Sequence, residues 1–137
     1  LTARYYQPWD NPVTGPEGFD LKVTYSATSG GIDDLIRCNI SVLRTRSGGM
    51  YIAEIGLPPG ANLERQDLEV LVAERKISRY EVEPDRVLLY LWNSRSELSF
   101  GFRPRFRMRA KTAPSALWDY YNPDLRLDLE PQLFVIE

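Results

Sequence analysis

Apolar and polar residues alternate along much of this 137-residue chain, a pattern typical of β-strands that bury one face. The alternation is clearest at residues 19–25 and 36–42, and related runs occur at 51–57 and 80–82. Residues 87–92 are apolar throughout, so we expect this strand to be buried on both faces and to lie centrally in its sheet. Short strands between frequent Gly and Pro turns predict an all-β fold, an antiparallel β-sandwich.

A single helix is expected among the strands, from Leu63 to Arg75. It follows the turn sequence Pro58-Pro59-Gly60, and Asn62 is expected to be its N-cap. Leu68, Leu71 and Val72 have the spacing of one helix face, which predicts that this stripe packs on a sheet. The charges suit the helix dipole, with acids at the start (Glu64, Asp67) and bases at the end (Arg75, Lys76).

A second alternation, from residue 98 to residue 111, separates apolar even positions from basic odd positions. The even positions are expected to face the core: Phe100, Phe102, Phe106, Met108 and Ala110. The odd positions predict a basic stripe on one face: Arg103, Arg105, Arg107, Arg109 and Lys111. Pro104 predicts an edge strand or a bend. We interpret the stripe as a solvated sheet face, although its charge also suits an acidic partner, a sulfated glycan or an anionic membrane surface.

The aromatic segment at residues 114–123 (PSALWDYYNP) predicts a packed closing strand. Within it, Asp119 is expected to accept hydrogen bonds from a hydroxyl group or from backbone N–H groups. The role of this segment is therefore expected to be structural rather than catalytic.

Composition and charge place limits on the function. A chain of 43% hydrophobic and 26% charged residues fits one globular domain, residues 1–137, and its net charge of −2 gives no general reason to expect nucleic-acid binding. No apolar run is long enough to predict a membrane span. The chain begins at Leu1 without a Met or a signal peptide, so we interpret it as a piece excised from a larger protein or as a processed product. The single cysteine, Cys38, excludes an internal disulfide and is expected to be a small buried hydrophobic residue.

The chain contains no histidine, which excludes Ser-His-Asp and Cys-His nucleophile systems and the usual zinc sites. It also lacks a glycine-rich nucleotide fingerprint, so we expect no cofactor and no metal. Paired carboxylates of the glycosidase type remain an alternative, with Asp33, Asp34, Glu54 and Glu81 as the available acids. Nothing in the sequence places two of them across a cleft, and we therefore expect a non-enzymatic protein.

Five segments resemble, in order, the C-terminal receptor-binding domain of the alpha-2-macroglobulin and complement superfamily. They are residues 18–21 (GFDL), 49–60 (GMYIAEIGLPPG), 77–82 (ISRYEV), 87–91 (VLLYL) and 117–121 (LWDYY). The last is similar to the family's Val-Tyr-Asp-Tyr-Tyr, with Trp118 in place of the first Tyr. The resemblance implies a β-sandwich with a helix inserted before the later strands, at the end of a large extracellular or periplasmic protein and after a thioester-bearing domain.

The resemblance also implies recognition rather than catalysis. In protease-trapping members, cleavage exposes this domain, and its helix binds a clearance receptor through two lysines. These lysines fall on Arg65 and Glu69, so that one charge is kept and the other is reversed. We therefore do not expect that receptor interaction here. The missing lysines and disulfide cysteines indicate a divergent, bacterial member.

We expect a non-catalytic interaction domain at the C-terminus of an alpha-2-macroglobulin-like endopeptidase inhibitor. It would pack against the preceding thioester-type domain and would recognise a receptor or another protein after a conformational change. The expected partner-binding residues are Arg65, Glu69, Arg75 and Lys76. One alternative is a stand-alone sandwich that binds carbohydrate through Trp9, Trp92 or Trp118. Another is a domain of a complement-like thioester opsonin.

Overall fold

The structure, a computed structural model, describes residues 18–44 and 49–137. Within these ranges the chain forms short strands and one helix. In chain order they are β1 (Phe19–Tyr25), β2 (Ser29–Gly30), β3 (Ile36–Arg44), β4 (Tyr51–Gly56), β5 (Asn62–Leu63), α1 (Arg65–Ala73), β6 (Arg79–Glu83), β7 (Arg86–Leu91), β8 (Arg95–Arg103), β9 (Met108–Lys111), β10 (Ala116–Asp119), β11 (Arg126–Asp128) and β12 (Leu133–Ile136).

Two antiparallel sheets form the body of the fold. One has the strand order β1-β3-β8-β5 and the other β11-β10-β4-β7-β6. A third, smaller sheet has the order β2-β12-β9, in which β2 and β12 run parallel. Buried residues from all three sheets belong to one hydrophobic core. The predicted class, a β-sandwich with one inserted helix, is confirmed.

Strand β3 shows why the alternating segments form these sheets. Ile36, Cys38, Ile40 and Val42 are all buried, while the residues between them are partly or fully exposed. Cys38 lies opposite Tyr25 on β1 and Phe100 on β8, and its side chain is 0% exposed. Burial raises the pKa of the Cys38 thiol, which keeps it protonated and unreactive. The expected role of Cys38 as a small buried hydrophobic residue is confirmed.

The position expected for residues 87–92 is wrong in part. Strand β7 lies between β4 and the edge strand β6, and the centre of the five-stranded sheet is β4. Every residue of β4 is buried, because neighbouring strands flank it on both sides and large side chains adjoin its outer positions. For example, Ile52 lies between Trp118 and Tyr90 in the register. Trp92 follows β7 and is 55% exposed.

The helix is shorter than expected and begins later. Asn62 is not its N-cap, because Asn62 and Leu63 pair with β8 as the short strand β5. The N-cap position is Glu64, which makes no side-chain cap. At the other end Glu74 is the C-cap, and Arg75 has a φ of 61°, a left-handed conformation that ends the helix. Arg75 and Lys76 therefore follow the helix instead of forming its last turn.

The alternation from residue 98 to residue 111 does not continue across Pro104. Strand β8 ends at Arg103, and β9 begins at Met108 in a different sheet, so the expected bend is confirmed. The five basic residues consequently do not share one strand face. Phe106, expected in the core, is 56% exposed, because it lies in the bend where the period of two is lost.

The aromatic segment forms β10, between β4 and β11. It is not the closing strand, since β11 and β12 follow it. The Asp119 carboxylate accepts hydrogen bonds from the N–H groups of Tyr121 at 2.8 Å and Asn122 at 3.0 Å, as expected. Tyr120 and Tyr121 follow β10 and are exposed, so the packed strand expected from the whole segment is limited to Ala116–Asp119.

Tyr51 gives the sandwich a pH dependence in the alkaline range. Its ring is fully buried, and its hydroxyl donates to the carbonyl of Asn93. Burial raises the pKa of Tyr51 to about 12, compared with about 10 in an unfolded chain. The folded state therefore holds this proton more tightly, and the resulting stabilisation is complete below about pH 10 and is lost as pH rises towards 12.

We expect the urea midpoint of unfolding to fall between pH 10 and pH 12, and to fall less in the variant Tyr51→Phe. Below pH 9 that variant should be less stable by about 1 kcal/mol, since one hydrogen bond is lost. Equal alkaline losses for the two proteins would show that Tyr51 does not contribute.

Candidate partner-binding surface

Helix α1 is attached to the sandwich along one strand edge. Leu68 and Leu71 are buried in the core, and Val72 packs against it, which confirms the predicted stripe. The Asp67 carboxylate accepts from the Gly101 N–H at 2.8 Å and forms an ion pair with Arg37 at 3.3 Å. Asp67 therefore pairs with the edge of β8 beyond the point where β5 ends, and it holds the helix beside the four-stranded sheet.

Glu64 adds a second attachment at the start of the helix. Its N–H donates to the Gly101 carbonyl at 2.9 Å, and its carboxylate pairs with the Arg103 guanidinium at 2.9 Å. The helix is therefore held through backbone and acidic groups near its N-terminus. Its opposite face is open to solvent.

All four residues predicted to bind a partner are exposed. Arg65 and Glu69 lie one turn apart on the helix, and both interact with Tyr80. The Tyr80 hydroxyl donates to the Glu69 carboxylate, and this hydrogen bond raises the pKa of Tyr80. Arg65 and Glu69 thus form one charged cluster with a tyrosine that the sequence did not single out.

Arg75 and Lys76 lie at the other end of the helix. Lys76 pairs with Glu74 at 3.6 Å, and both side chains are at least half exposed. Helix α1 is about 13 Å long; Arg65 and Glu69 lie between its start and its middle, and Arg75 and Lys76 follow its last residue, Ala73. The predicted residues therefore form two charged clusters at the two ends of one exposed helix, not a single site.

A groove of about 600 Å³ lies between α1 and the outer face of the four-stranded sheet. Its charged lining is balanced, with three cations and three acids: Lys22, Arg37, Lys76, Asp67, Glu74 and Glu97. Sheet hydroxyl groups form part of the floor; the Ser41 hydroxyl, for example, donates to Glu97 at 2.7 Å. Sequence reasoning missed this groove, although the polar positions of β1, β3 and β8 already indicated the wet face that forms it.

Three of the four carboxylates weighed for catalysis have partners elsewhere in the fold. Glu54 is buried on β4, where it pairs with Arg86 and accepts from the Trp118 indole N–H at 3.1 Å. Glu81 pairs with Arg79 at 3.0 Å. Asp34 accepts from the N–H of Gly31 at 2.8 Å. In the described ranges no group of three or more Cys, Asp or Glu residues is placed to hold a metal ion.

The tryptophans considered for carbohydrate binding differ in their surroundings. Trp92 is exposed, whereas Trp118 is partly buried and bonded to Glu54. Trp9 lies outside the described residues. The described tryptophans therefore do not form one open stacking platform.

Sequence comparison gives two matches. Residues 46–128 match the A-macroglobulin receptor binding domain family. A curated relative, complement C3 of Eptatretus burgeri, is 31% identical over 91 residues, which cover 61% of this chain and 6% of the relative. The chain thus spans a small part of that protein's length.

Solved structures share the fold. Native alpha-2-macroglobulin from Escherichia coli, solved from domain MG7 to the C-terminus, has a TM-score of 0.73 at 14% identity, covering 91% of this chain and 24% of that one. The Escherichia coli protein activated by porcine elastase has a TM-score of 0.72 at 16% identity, covering 92% and 14%. Among the described residues, α1 is too short and too polar to span a membrane.

Proposed function

Because the chain belongs to the A-macroglobulin receptor binding domain family, we propose that it is a non-catalytic interaction domain at the C-terminus of an alpha-2-macroglobulin-like endopeptidase inhibitor. The parent protein would be extracellular or periplasmic. In it, this domain would pack against the preceding thioester-type domain and would present a recognition surface after a conformational change.

The observation that carries the proposal is the exposed charged surface formed by α1 and the residues that directly follow it. Arg65, Glu69, Arg75 and Lys76 are all exposed, and none of them belongs to the hydrophobic core. A surface of this kind can bind a partner without loss of folding stability, because its side chains support little of the fold. These four residues are therefore our proposed partner contacts.

The charge pattern determines which partner this helix accepts. Arg65 and Glu69 present opposite charges one turn apart, and Tyr80 joins them. A partner that recognises two cations on this helix would carry acidic groups. One of these acidic groups would face the Glu69 carboxylate, and like charges at an interface oppose binding. We therefore propose a partner that offers both an acid and a base to this cluster.

The proposal of a conformational change is supported by the form of the Escherichia coli protein that is activated by porcine elastase. We propose that in the intact parent α1 is covered, and that protease cleavage uncovers it. The variant Glu69→Cys allows this to be measured, since residue 69 is exposed in the domain and Cys38 is fully buried.

The experiment uses the full-length parent carrying Glu69→Cys, labelled with a maleimide and read at residue 69 by peptide mass mapping. We expect labelling to be slow in the intact parent and to accelerate about tenfold or more after protease cleavage, because covered surface becomes solvent-accessible. An active-site-blocked protease is the control and should leave the rate unchanged. Rapid labelling before cleavage, or slow labelling afterwards, would overturn the proposed exposure.

A further inference from the structure

Four basic residues near β9 have no ion-pair partner among the residues that the structure describes: Arg105, Arg107, Arg109 and Lys111. All four are exposed. They differ in this from Arg103, which pairs with Glu64 and donates to the Asp33 carbonyl at 2.9 Å. We call these four residues the basic edge. It is a local concentration of positive charge on a chain whose net charge is −2.

Among residues 18–44 and 49–137, no strand pairs with β9 on the side away from β12. β9 is an edge strand of the sheet β2-β12-β9. The Thr112 N–H donates to the Gln132 carbonyl at 2.8 Å. In an antiparallel pair every second residue directs its backbone N–H and C=O groups to the same neighbour, so those of Ala110 and Met108 also point towards β12. The N–H and C=O groups of Arg109 and Lys111 consequently point to the free edge. These are the groups through which a further strand would pair.

Apolar side chains accompany the charges. Lys111 lies opposite Leu133, so the two side chains share one sheet face, and Leu133 is 40% exposed. Phe106 lies against Gly60, where an added Cβ would come within 2.6 Å of the ring. Exposed apolar groups therefore lie on both sides of the basic edge, in the bend before β9 and on the neighbouring strand β12.

We propose that the basic edge is a docking site for an acidic, extended peptide segment of another protein, which pairs with β9 as an added strand. Strand addition uses the free main-chain groups for affinity and alternate side-chain positions for specificity. Charge complementarity selects the acidic peptide, because a basic or apolar strand would leave these cations unpaired. This surface is separate from helix α1, so the inference does not depend on the proposed role of the helix.

Cations on an edge strand also have a simpler function, which is to prevent edge-to-edge aggregation. That function depends on repulsion between two strands that both carry positive charge. An acidic strand is attracted to the basic edge instead. A sulfated glycan would use the same charges, but it would not pair with the amides of Arg109 and Lys111 or use the apolar groups beside them. The backbone contacts therefore distinguish the two ligands.

The probe is a synthetic eight-residue peptide with Glu at alternate positions and Val or Tyr between them, titrated into the 137-residue chain. We expect the amides of Arg109 and Lys111 to become protected from hydrogen exchange by about tenfold or more at saturation, because they enter a new ladder. The amide of Ala110, which already faces β12, should not change. Binding without protection at residues 109 and 111 would overturn the proposal.

Charge variants supply the matched comparison. Arg109→Glu with Lys111→Glu should weaken peptide binding about tenfold or more, since like charges then face each other. Lys22→Glu with Arg95→Glu, two exposed positions on the four-stranded sheet, should leave peptide binding unchanged. The neutral pair Arg109→Gln with Lys111→Gln covers the case in which charge reversal disturbs folding, and it should also weaken binding. Failure of the peptide to bind, with or without binding of a heparin fragment, would reject strand addition.

Discussion

Replacing Phe134 by alanine is expected to lower the free energy of unfolding by about 3–5 kcal/mol, the usual loss when a buried Phe side chain is removed. Phe134 is 0% exposed, and its ring lies 5.0 Å from Tyr25 and 6.1 Å from Phe102, centroid to centroid. Both contacts are edge-to-face or close to it, so the cavity would also remove two favourable ring pairs. Urea-induced unfolding followed by tryptophan fluorescence measures the change.

Phe106→Ala is the matched control. It deletes the same side chain from a site that is 56% exposed, and it should cost less than about 1 kcal/mol. Similar losses for the two variants would contradict the assignment of Phe134 to the core and of Phe106 to the surface.

The second large effect is expected at the buried ion pair of Glu54 and Arg86. Glu54 is almost fully buried, and besides Arg86 its side-chain partner in the described part of the chain is the Trp118 indole N–H. Arg86→Met would leave this carboxylate without its cation. Since the Arg86 side chain is about a third exposed, we expect a loss of about 2–3 kcal/mol, less than for a fully buried pair.

The double variant Glu54→Met with Arg86→Met tests the cause of that loss. If an unpaired buried charge is responsible, replacing both residues should recover most of the stability, to within about 1 kcal/mol of the unsubstituted chain. Arg126→Met is the surface control, because the Arg126–Asp128 pair is exposed and should contribute less than about 1 kcal/mol. A double variant as unstable as Arg86→Met would show that packing, not charge, explains the effect.

Much of the fold follows from local alternation. Strands β1 and β3 were predictable because residues such as Leu21 and Ile40 recur every second position and lie on one buried face. The inserted helix was predictable from Leu68 and Leu71. Each of these signals lies within a few residues of sequence, where one periodicity determines which side chains are buried.

Features that depend on distant partners were not predictable. The helix begins late because Asn62 and Leu63 pair with Arg103 and Phe102, about forty residues away in the chain. The environment of Glu54 likewise depends on Arg86 and Trp118, which belong to two neighbouring strands. Phe106 was misplaced because the alternation was continued across Pro104, where the chain leaves one sheet for another.

The candidate site was likewise predictable only where it depends on nearby residues in the sequence. Arg65 and Glu69 were identified from the resemblance, because they occupy the positions of the family's two receptor-contacting lysines, and both are exposed. Tyr80 and the groove residues Lys22 and Glu97 come from other elements, so only the assembled sheets bring them near the helix. A single periodicity carries no information about that arrangement.

The attachment of α1 has a consequence for the evolution and engineering of this domain. The helix is held by Leu68, Leu71 and Asp67, whereas the charged residues on its outer face contribute little to holding it. Exchange of those outer charges should therefore be nearly neutral for folding, while it changes which surfaces the helix attracts or repels. Partner preference can then diverge between relatives, or be redesigned, one surface residue at a time and without compensating changes in the core.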